Sequence, residues 1–130
     1  MNEMIKVLRI EPMKAPEAIK IKAGLESYQK EVGGFIEVVY PFPDSVALIC
    51  NEEGKLNGLP LNRALYNEYD DPYDIIAGTF LVVGVDPDDG NFVSLTEKQT
   101  GEYQRFFRYP EAFLMAEGKV LVINISEEMG

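Results

Sequence analysis

The polar side chains best suited to chemistry lie between two apolar runs in the middle of the chain. Five of them fall within residues 51–63, and they are Asn51, Lys55, Asn57, Asn62 and Arg63. Asparagine supplies hydrogen-bond donors and acceptors together, and arginine offers a planar fork that binds a carboxylate or a phosphate through two hydrogen bonds. Chain reversal alone does not require this set, so segment 51–63 predicts a binding loop for a small ligand or a peptide.

A structural role competes with that interpretation. Asn57 and Asn62 can hydrogen-bond to main chain in two turns, and Arg63 can pair with a nearby acid. Arg63 is the only cation between Lys55 and Lys98, so an anionic ligand bound by the middle of the chain would depend on it. The sequence leaves both interpretations open.

The composition disfavours the common catalytic sites. The 130 residues contain no histidine, which excludes Ser-His-Asp and Cys-His catalysis and the usual zinc sites. Cys50 is the only cysteine, and its apolar neighbours predict a buried, unreactive thiol. Glu37, within a predicted strand, is the most interesting single carboxylate for acid–base chemistry, but a solvent-facing position explains it better. We predict no catalytic residue, and an enzyme that works without histidine is the least favoured hypothesis.

One segment partly matches a calcium-binding loop. Asp86, Asp88 and Glu97 occupy positions one, three and twelve of the template. The template requires glycine at position six, where this chain has Asn91, and an oxygen ligand at position five, where it has Gly90. A plain turn explains the segment better, and the glycine-rich phosphate-binding motifs are also missing. We predict neither a metal nor a cofactor.

Charge is unevenly distributed along the chain. The formal net charge is −10, and residues 66–91 contain seven carboxylates without a lysine or arginine. Such a segment disfavours direct binding to nucleic acid, which requires clustered cations. It is typical of a solvated acidic surface. It also supports an alternative function, an acidic inhibitor that mimics nucleic acid and occupies the basic cleft of a host protein.

The elements that must position these side chains follow from hydrophobic periodicity. Helices are expected near 25–33 and 96–108, and strands over 4–11, 18–22, 35–40, 46–51 and 74–85. The last strand shows no alternation, as expected of a central strand covered on both faces. Residues 61–65 are compatible with one helical turn, but the segment is too short to assign. Gly54 is expected to supply a positive φ in a tight turn. We predict an α+β fold with a mostly antiparallel or mixed sheet of about five to seven strands and two helices.

One domain is expected across residues 1–130, because no linker, repeat or low-complexity tract interrupts the chain. In the tail, 113–116 and 120–125 are predicted to pair as a hairpin about Glu117-Gly118, the alternative being a helical first half. No run of residues is long and apolar enough to span a bilayer, and the first ten residues lack a secretory signal pattern. We therefore expect a cytoplasmic protein without membrane association.

Four segments carry a resemblance to known proteins. They are Val32-Gly-Gly-Phe-Ile-Glu37, Tyr40-Pro-Phe42, Ile49-Cys-Asn-Glu-Glu-Gly-Lys-Leu-Asn-Gly-Leu-Pro-Leu-Asn-Arg63 and Asp74-Ile-Ile-Ala-Gly-Thr-Phe80. Together they resemble a family of small proteins of unknown function from Gram-positive bacteria, their phages and their mobile elements. The resemblance covers residues 4–107 and leaves the tail 109–130 outside. It implies cytosolic expression from a prophage or conjugative element, and it brings no catalytic residues.

The favoured hypothesis is a non-enzymatic binding module that acts through segment 51–63. Its partner is expected to be a small ligand or a host protein. The sequence does not specify the oligomeric state.

Overall fold

The computed structural model describes residues 3–125, which contain ten strands and two helices. In chain order these are β1 (Met4–Ile10), β2 (Glu17–Lys22), α1 (Leu25–Val32), β3 (Ile36–Val39), β4 (Val46–Asn51), β5 (Leu61–Tyr66), β6 (Pro72–Ala77), β7 (Phe80–Val85), β8 (Phe92–Val93), α2 (Glu97–Phe106), β9 (Glu111–Ala116) and β10 (Lys119–Asn124). Within the same residues, no helix combines the length and the hydropathy needed to cross a membrane.

A six-stranded antiparallel sheet forms the centre of the fold. Its strands lie in the order β2-β1-β7-β4-β3, and β8 pairs with β7. All six residues of β4 are buried, as are the first five of β7. Continuous apolar runs are typical of strands covered on both faces. The predicted α+β fold, with a mostly antiparallel sheet and two helices, is confirmed.

Alternate residues of the central strands enter two separate cores. Leu48, Phe80 and Val82 face one core, which also contains Tyr103 of α2 and Phe107, the residue that follows the helix. The second core lies on the opposite face, beneath α1, and contains Ile5, Val7, Ile21, Tyr28, Val32, Ala47, Ile49, Leu81 and Val83. Because successive residues of a strand point to opposite faces, one strand supplies both cores.

Two small hairpins accompany the sheet. The strands β5 and β6 pair with each other, and so do β9 and β10. The β9–β10 hairpin turns at Glu117-Gly118, where the sequence predicts a hairpin. Both turn residues have positive φ, 53° and 78°, as a two-residue turn between twisted antiparallel strands requires.

The predicted strand over 74–85 is two strands. Gly78 separates them with a φ of 81°, and a Cβ at this position would lie 2.7 Å from Leu59 Cδ1. The chain reverses there, so β6 pairs with β5 and β7 joins the main sheet. Apolar periodicity does not distinguish one long strand from two strands divided by a tight turn.

The structure assigns one segment that the sequence left open and corrects one further prediction. Residues 61–66 form the strand β5 instead of a helical turn, because long-range contacts override the weak preferences of a short segment. Gly54 does not have the positive φ that the sequence predicts. A Cβ at Gly54 would lie 2.7 Å from the carbonyl oxygen of Ala77, so glycine is needed there for close approach to β6.

Candidate functional site

Arg63 lies inside the protein and is only 1% exposed. Its Nη2 donates to the carbonyl oxygens of Lys14, at 2.7 Å, and Phe107, at 2.8 Å. Its Nε donates to the same Phe107 oxygen at 3.3 Å, and its Nη1 donates to the Asn62 side-chain oxygen at 2.9 Å. Each nitrogen of the guanidinium therefore has a partner within the protein.

The position of Phe107 explains part of this arrangement. Phe107 is the C-cap of α2, where the last carbonyls of a helix lack intrahelical partners and carry partial negative charge. The guanidinium of Arg63 satisfies one of these carbonyls. Burial lowers the pKa of Arg63, and the nearby carboxylate of Glu111 opposes that shift.

Asn62 is fully buried beside Arg63. Its amide nitrogen donates to the carbonyl oxygens of Ile10, at 2.9 Å, and Gly78, at 2.8 Å. These contacts connect β5 to the end of β1 and to the turn before β7. Asn62 thus bonds to main chain, as its structural interpretation expects. Arg63 also holds distant main chain, but its acceptors are carbonyl oxygens and the Asn62 amide instead of an acid.

Of the other three residues of the predicted set, one is buried and two are exposed. Asn51 is largely buried, its amide donates to the carbonyl oxygen of Val32 at 3.1 Å, and its side-chain oxygen accepts from the Glu53 N–H at 2.8 Å. Lys55 is exposed and forms an ion pair with Asp74 at 2.6 Å. Asn57 is exposed on the loop between β4 and β5.

Asn51 and Lys55 line a cleft of about 330 Å³ between the β4–β5 loop and the strands β3 and β6. Its apolar lining includes Val39, Leu65 and Ile76, while Cys50 contributes a thiol. Asn57, Asn62 and Arg63 are not among the lining residues. The structure therefore brings together two of the five predicted residues and places the others elsewhere.

Carboxylates dominate the rim of the cleft. Glu37 comes from β3, Glu52 and Glu53 from the loop, and Asp74 from β6. With Lys55 as the single cation, the lining carries a formal charge of −3. Sequence reasoning assigned none of these four carboxylates to the binding site. The sequence marks Glu37 only as a carboxylate within a strand. Its direct pairing with Cys50, which places it at the cleft, is seen in the structure.

The thiol of Cys50 is not a nucleophile. Burial, together with the nearby carboxylates of Glu37 and Asp74, raises its pKa to about 12. The thiolate is the reactive form of cysteine, so this environment keeps the side chain inert. Within residues 3–125, no group of three or more Cys, Asp and Glu side chains has the geometry of a metal site.

The acidic residues of 66–91 outside the cleft belong to separate connections. Asn67 organises the β5–β6 connection by accepting hydrogen bonds from the N–H groups of Tyr69 and Asp71. Asp86 and Asp89 organise the β7–β8 connection in the same manner, each accepting from an N–H two residues later. Side-chain acceptors of this type are typical of tight turns.

Comparison with known proteins places the chain in a family. A family model described as a domain of unknown function (DUF3846) matches residues 5–108. No curated protein matches the chain at a significant level, and no solved structure does so either. The matched region includes the main sheet, both helices and all residues that line the cleft. Because the match spans most of the sequence, the chain belongs to the DUF3846 family.

Proposed function

We propose that the protein is a binding module that holds a cationic group in the cleft beside the β4–β5 loop. The observation that carries this proposal is the combination of a concave, partly apolar lining with a rim charge of −3. An aliphatic amine or guanidinium matches both features, since its methylene groups pack on apolar side chains and its charged head meets carboxylates. The ligand class is a small organic cation or the basic side chain of a peptide.

The carboxylates of the rim differ in their availability. Asp74 is held by Lys55. Glu37, Glu52 and Glu53 take part in none of the ion pairs formed by residues 3–125 and are exposed to solvent. An incoming cation therefore meets three carboxylates without displacing a bound lysine. The surrounding protein also focuses the field of like charges into the concave site.

A titration followed by two-dimensional NMR tests the proposal. The probes are agmatine and the N-acetyl amides of lysine and arginine, with the N-acetyl amide of glutamate as the anionic control. We expect shifts confined to the amides of residues 37–39, 51–56 and 74–77 with the cations alone. Absence of cation binding up to about 10 mM, or equal binding of the anion, would contradict the proposal.

Variants of the rim separate this cleft from a general effect of net charge. Glu37→Gln and Glu53→Gln are expected to weaken cation binding about two- to fivefold each, as partly exposed charge pairs do. Glu102→Gln on α2 removes the same charge outside the cleft and is expected to change little. Lys55→Gln frees Asp74 and is expected to strengthen binding. If Glu37→Gln, Glu53→Gln and Glu102→Gln all weakened cation binding equally, only the total charge of the protein would matter.

We propose further that the natural partner is a component of a bacterial host. The resemblance to phage and mobile-element proteins supports this setting, and a basic peptide segment of a host protein suits the cleft. The acidic inhibitor is retained as the alternative. It predicts that the β5–β6 and β7–β8 connections, and not the cleft, carry the contact with a basic partner.

A further inference from the structure

Strand β3 forms one edge of the main sheet. Among residues 3–125, β4 is the one strand that pairs with it. An edge strand presents unpaired N–H and C=O groups, which can accept another extended chain. The opposite edge, β2, carries Lys20 and Lys22, and lysines on an edge discourage such pairing. Although β3 has only four residues, it contains neither lysine nor proline, so it is the more receptive of the two edges.

The register of β3 against β4 determines which of its main-chain groups point outward. The N–H of Glu52 donates to the carbonyl oxygen of Phe35, so these two opposite residues form a hydrogen-bonded pair. Because such pairs alternate with non-bonded pairs along an antiparallel ladder, Glu37 also bonds to β4. The N–H and C=O groups of Ile36 and Val38 then point away from β4. Within the described chain, these four groups form the open edge of the strand.

Glu37 connects this open edge to the cleft. Its side chain and that of Val39 both line the cleft, since alternate residues of a strand share one face. Glu37 is exposed and takes part in none of the ion pairs of residues 3–125. In an added strand, the residue opposite Glu37 would have its Cβ about 4.5–5.5 Å from that of Glu37, on the same face. A lysine or arginine at that position reaches both Glu37 and the acidic rim of the cleft.

Charge selects the occupant of the edge. The lining of the cleft carries a formal charge of −3, which complements an extended segment that contains a basic residue. A second copy of this chain is a poor occupant. An antiparallel contact between two β3 strands that used all four outward groups would pair Ile36 with Val38 of the other copy and place the two Glu37 residues directly opposite each other. Like charges in that position are destabilising, and each copy carries a formal charge of −10.

We infer that β3 receives an extended peptide as an additional antiparallel strand of the main sheet, with a lysine or arginine of the peptide opposite Glu37. Main-chain hydrogen bonds to Ile36 and Val38 supply affinity and alignment, and the basic side chain in the cleft supplies selectivity. The inference rests on the proposed function, because it assigns the cationic group to a peptide strand. A free amine uses only the cleft and leaves the edge of β3 unpaired.

Amide hydrogen exchange measured by NMR tests strand addition. The probe is the capped peptide acetyl-Thr-Val-Lys-Val-Thr-amide, and agmatine is the matched cation without a peptide backbone. At saturation, the peptide should slow exchange of the Ile36 and Val38 amides at least about tenfold, whereas agmatine should slow neither. The amides of β2, at the opposite edge, are the control and should not change. If agmatine binds while the peptide leaves Ile36 and Val38 unprotected, the inference is overturned and the cation cleft is retained.

N-Methylation of the peptide locates the hydrogen bonds without altering the protein. When the peptide lysine lies opposite Glu37, its own N–H points away from β3, whereas the N–H groups of the two valines point towards Val38 and Ile36. A methyl group on either valine nitrogen should weaken binding at least about fivefold, and one on the lysine nitrogen should change it less than about twofold. Equal weakening by a methyl group at all three positions would refute the inference.

Exchange of the central lysine of the peptide tests the part played by charge. Norleucine keeps most of the side-chain length without the ammonium group, and it should weaken binding to the wild-type protein about two- to fivefold. Glutamate at the same position should weaken binding further, because it meets Glu37 directly. The difference between the lysine and norleucine peptides should shrink in Glu37→Gln. Equal binding of all three peptides to the wild-type protein would overturn both the cation cleft and the choice of a basic peptide.

Discussion

Replacement of Arg63 by alanine is the sharpest test of how this fold is held together. The change removes the guanidinium that donates to the carbonyl oxygens of Lys14 and Phe107 and to the side-chain oxygen of Asn62. Arg63 is 1% exposed, so water does not reach its buried acceptors on Phe107 and Asn62 without rearrangement. The hydrogen bond to Lys14 is only part-buried and is left out of the magnitude below. The expected result is a large loss of stability instead of a loss of ligand binding.

The magnitude follows from the groups that lose their donor. A buried polar group without a partner costs about 1–3 kcal/mol. Two such acceptors, on Phe107 and Asn62, therefore give about 2–6 kcal/mol. For a chain of this size, we expect the melting temperature to fall by about 10–20 °C.

Urea and thermal unfolding followed by circular dichroism measure the effect. Arg63→Met keeps much of the side-chain volume without the donors, so a loss close to that of alanine assigns the effect to hydrogen bonds. Arg63→Lys keeps the charge without the planar fork and should recover only part of the stability. Arg108→Ala is the matched control, because Arg108 is exposed and its guanidinium lies over the ring of Tyr109 in a cation–π pair.

A melting temperature of Arg63→Ala within about 2 °C of the wild type would refute the reasoning. The same conclusion would follow if Arg63→Ala and Arg108→Ala shifted it equally. Either result would return Arg63 to the set of candidate ligand-binding residues.

Two further outcomes follow from buried ionisable groups. Cys50, with its pKa raised to about 12 by burial, should react with a thiol reagent at pH 8 only after denaturant unfolds the chain, and rapid native labelling would contradict its burial. Burial raises the pKa of Glu111, although the Ala64 N–H and Arg63 oppose the shift. A raised carboxyl pKa favours folding while the group is protonated, and this contribution is lost as pH rises above the ordinary value of 4.5 through the folded-state pKa. Glu111→Gln should therefore gain stability relative to the wild type between pH 4 and about pH 7, measured as the difference in melting temperature at each pH, and a constant difference would refute this.

Local sequence patterns determined much of the fold. Apolar runs predicted the buried strands β1, β4 and the β7 part of 74–85, since uninterrupted hydrophobic residues are typical of strands with two covered faces. Glu117-Gly118 marked the turn of the β9–β10 hairpin because both of its residues adopt positive φ. The apolar surroundings of Cys50 likewise predicted a buried thiol. Each of these features depends on residues close together in the chain.

The site required information that the sequence does not contain. Segment 51–63 was chosen because its polar side chains exceed the needs of a turn, but their directions depend on distant groups. Asn62 bonds to a carbonyl 52 residues away, and Arg63 to carbonyls 49 and 44 residues away. The same holds for the cleft, which Glu37 of β3 and Asp74 of β6 line together although they are far apart in the chain.

Composition and periodicity alone determined that this is an α+β domain with an acidic charge and without histidine chemistry. The tertiary structure decided which polar groups point inward and which remain available to a ligand. The physical reason is that a buried arginine or asparagine is stable only where main-chain acceptors converge on it. That convergence is a property of how β5, α2 and the end of β1 pack, and no local pattern of residues records it.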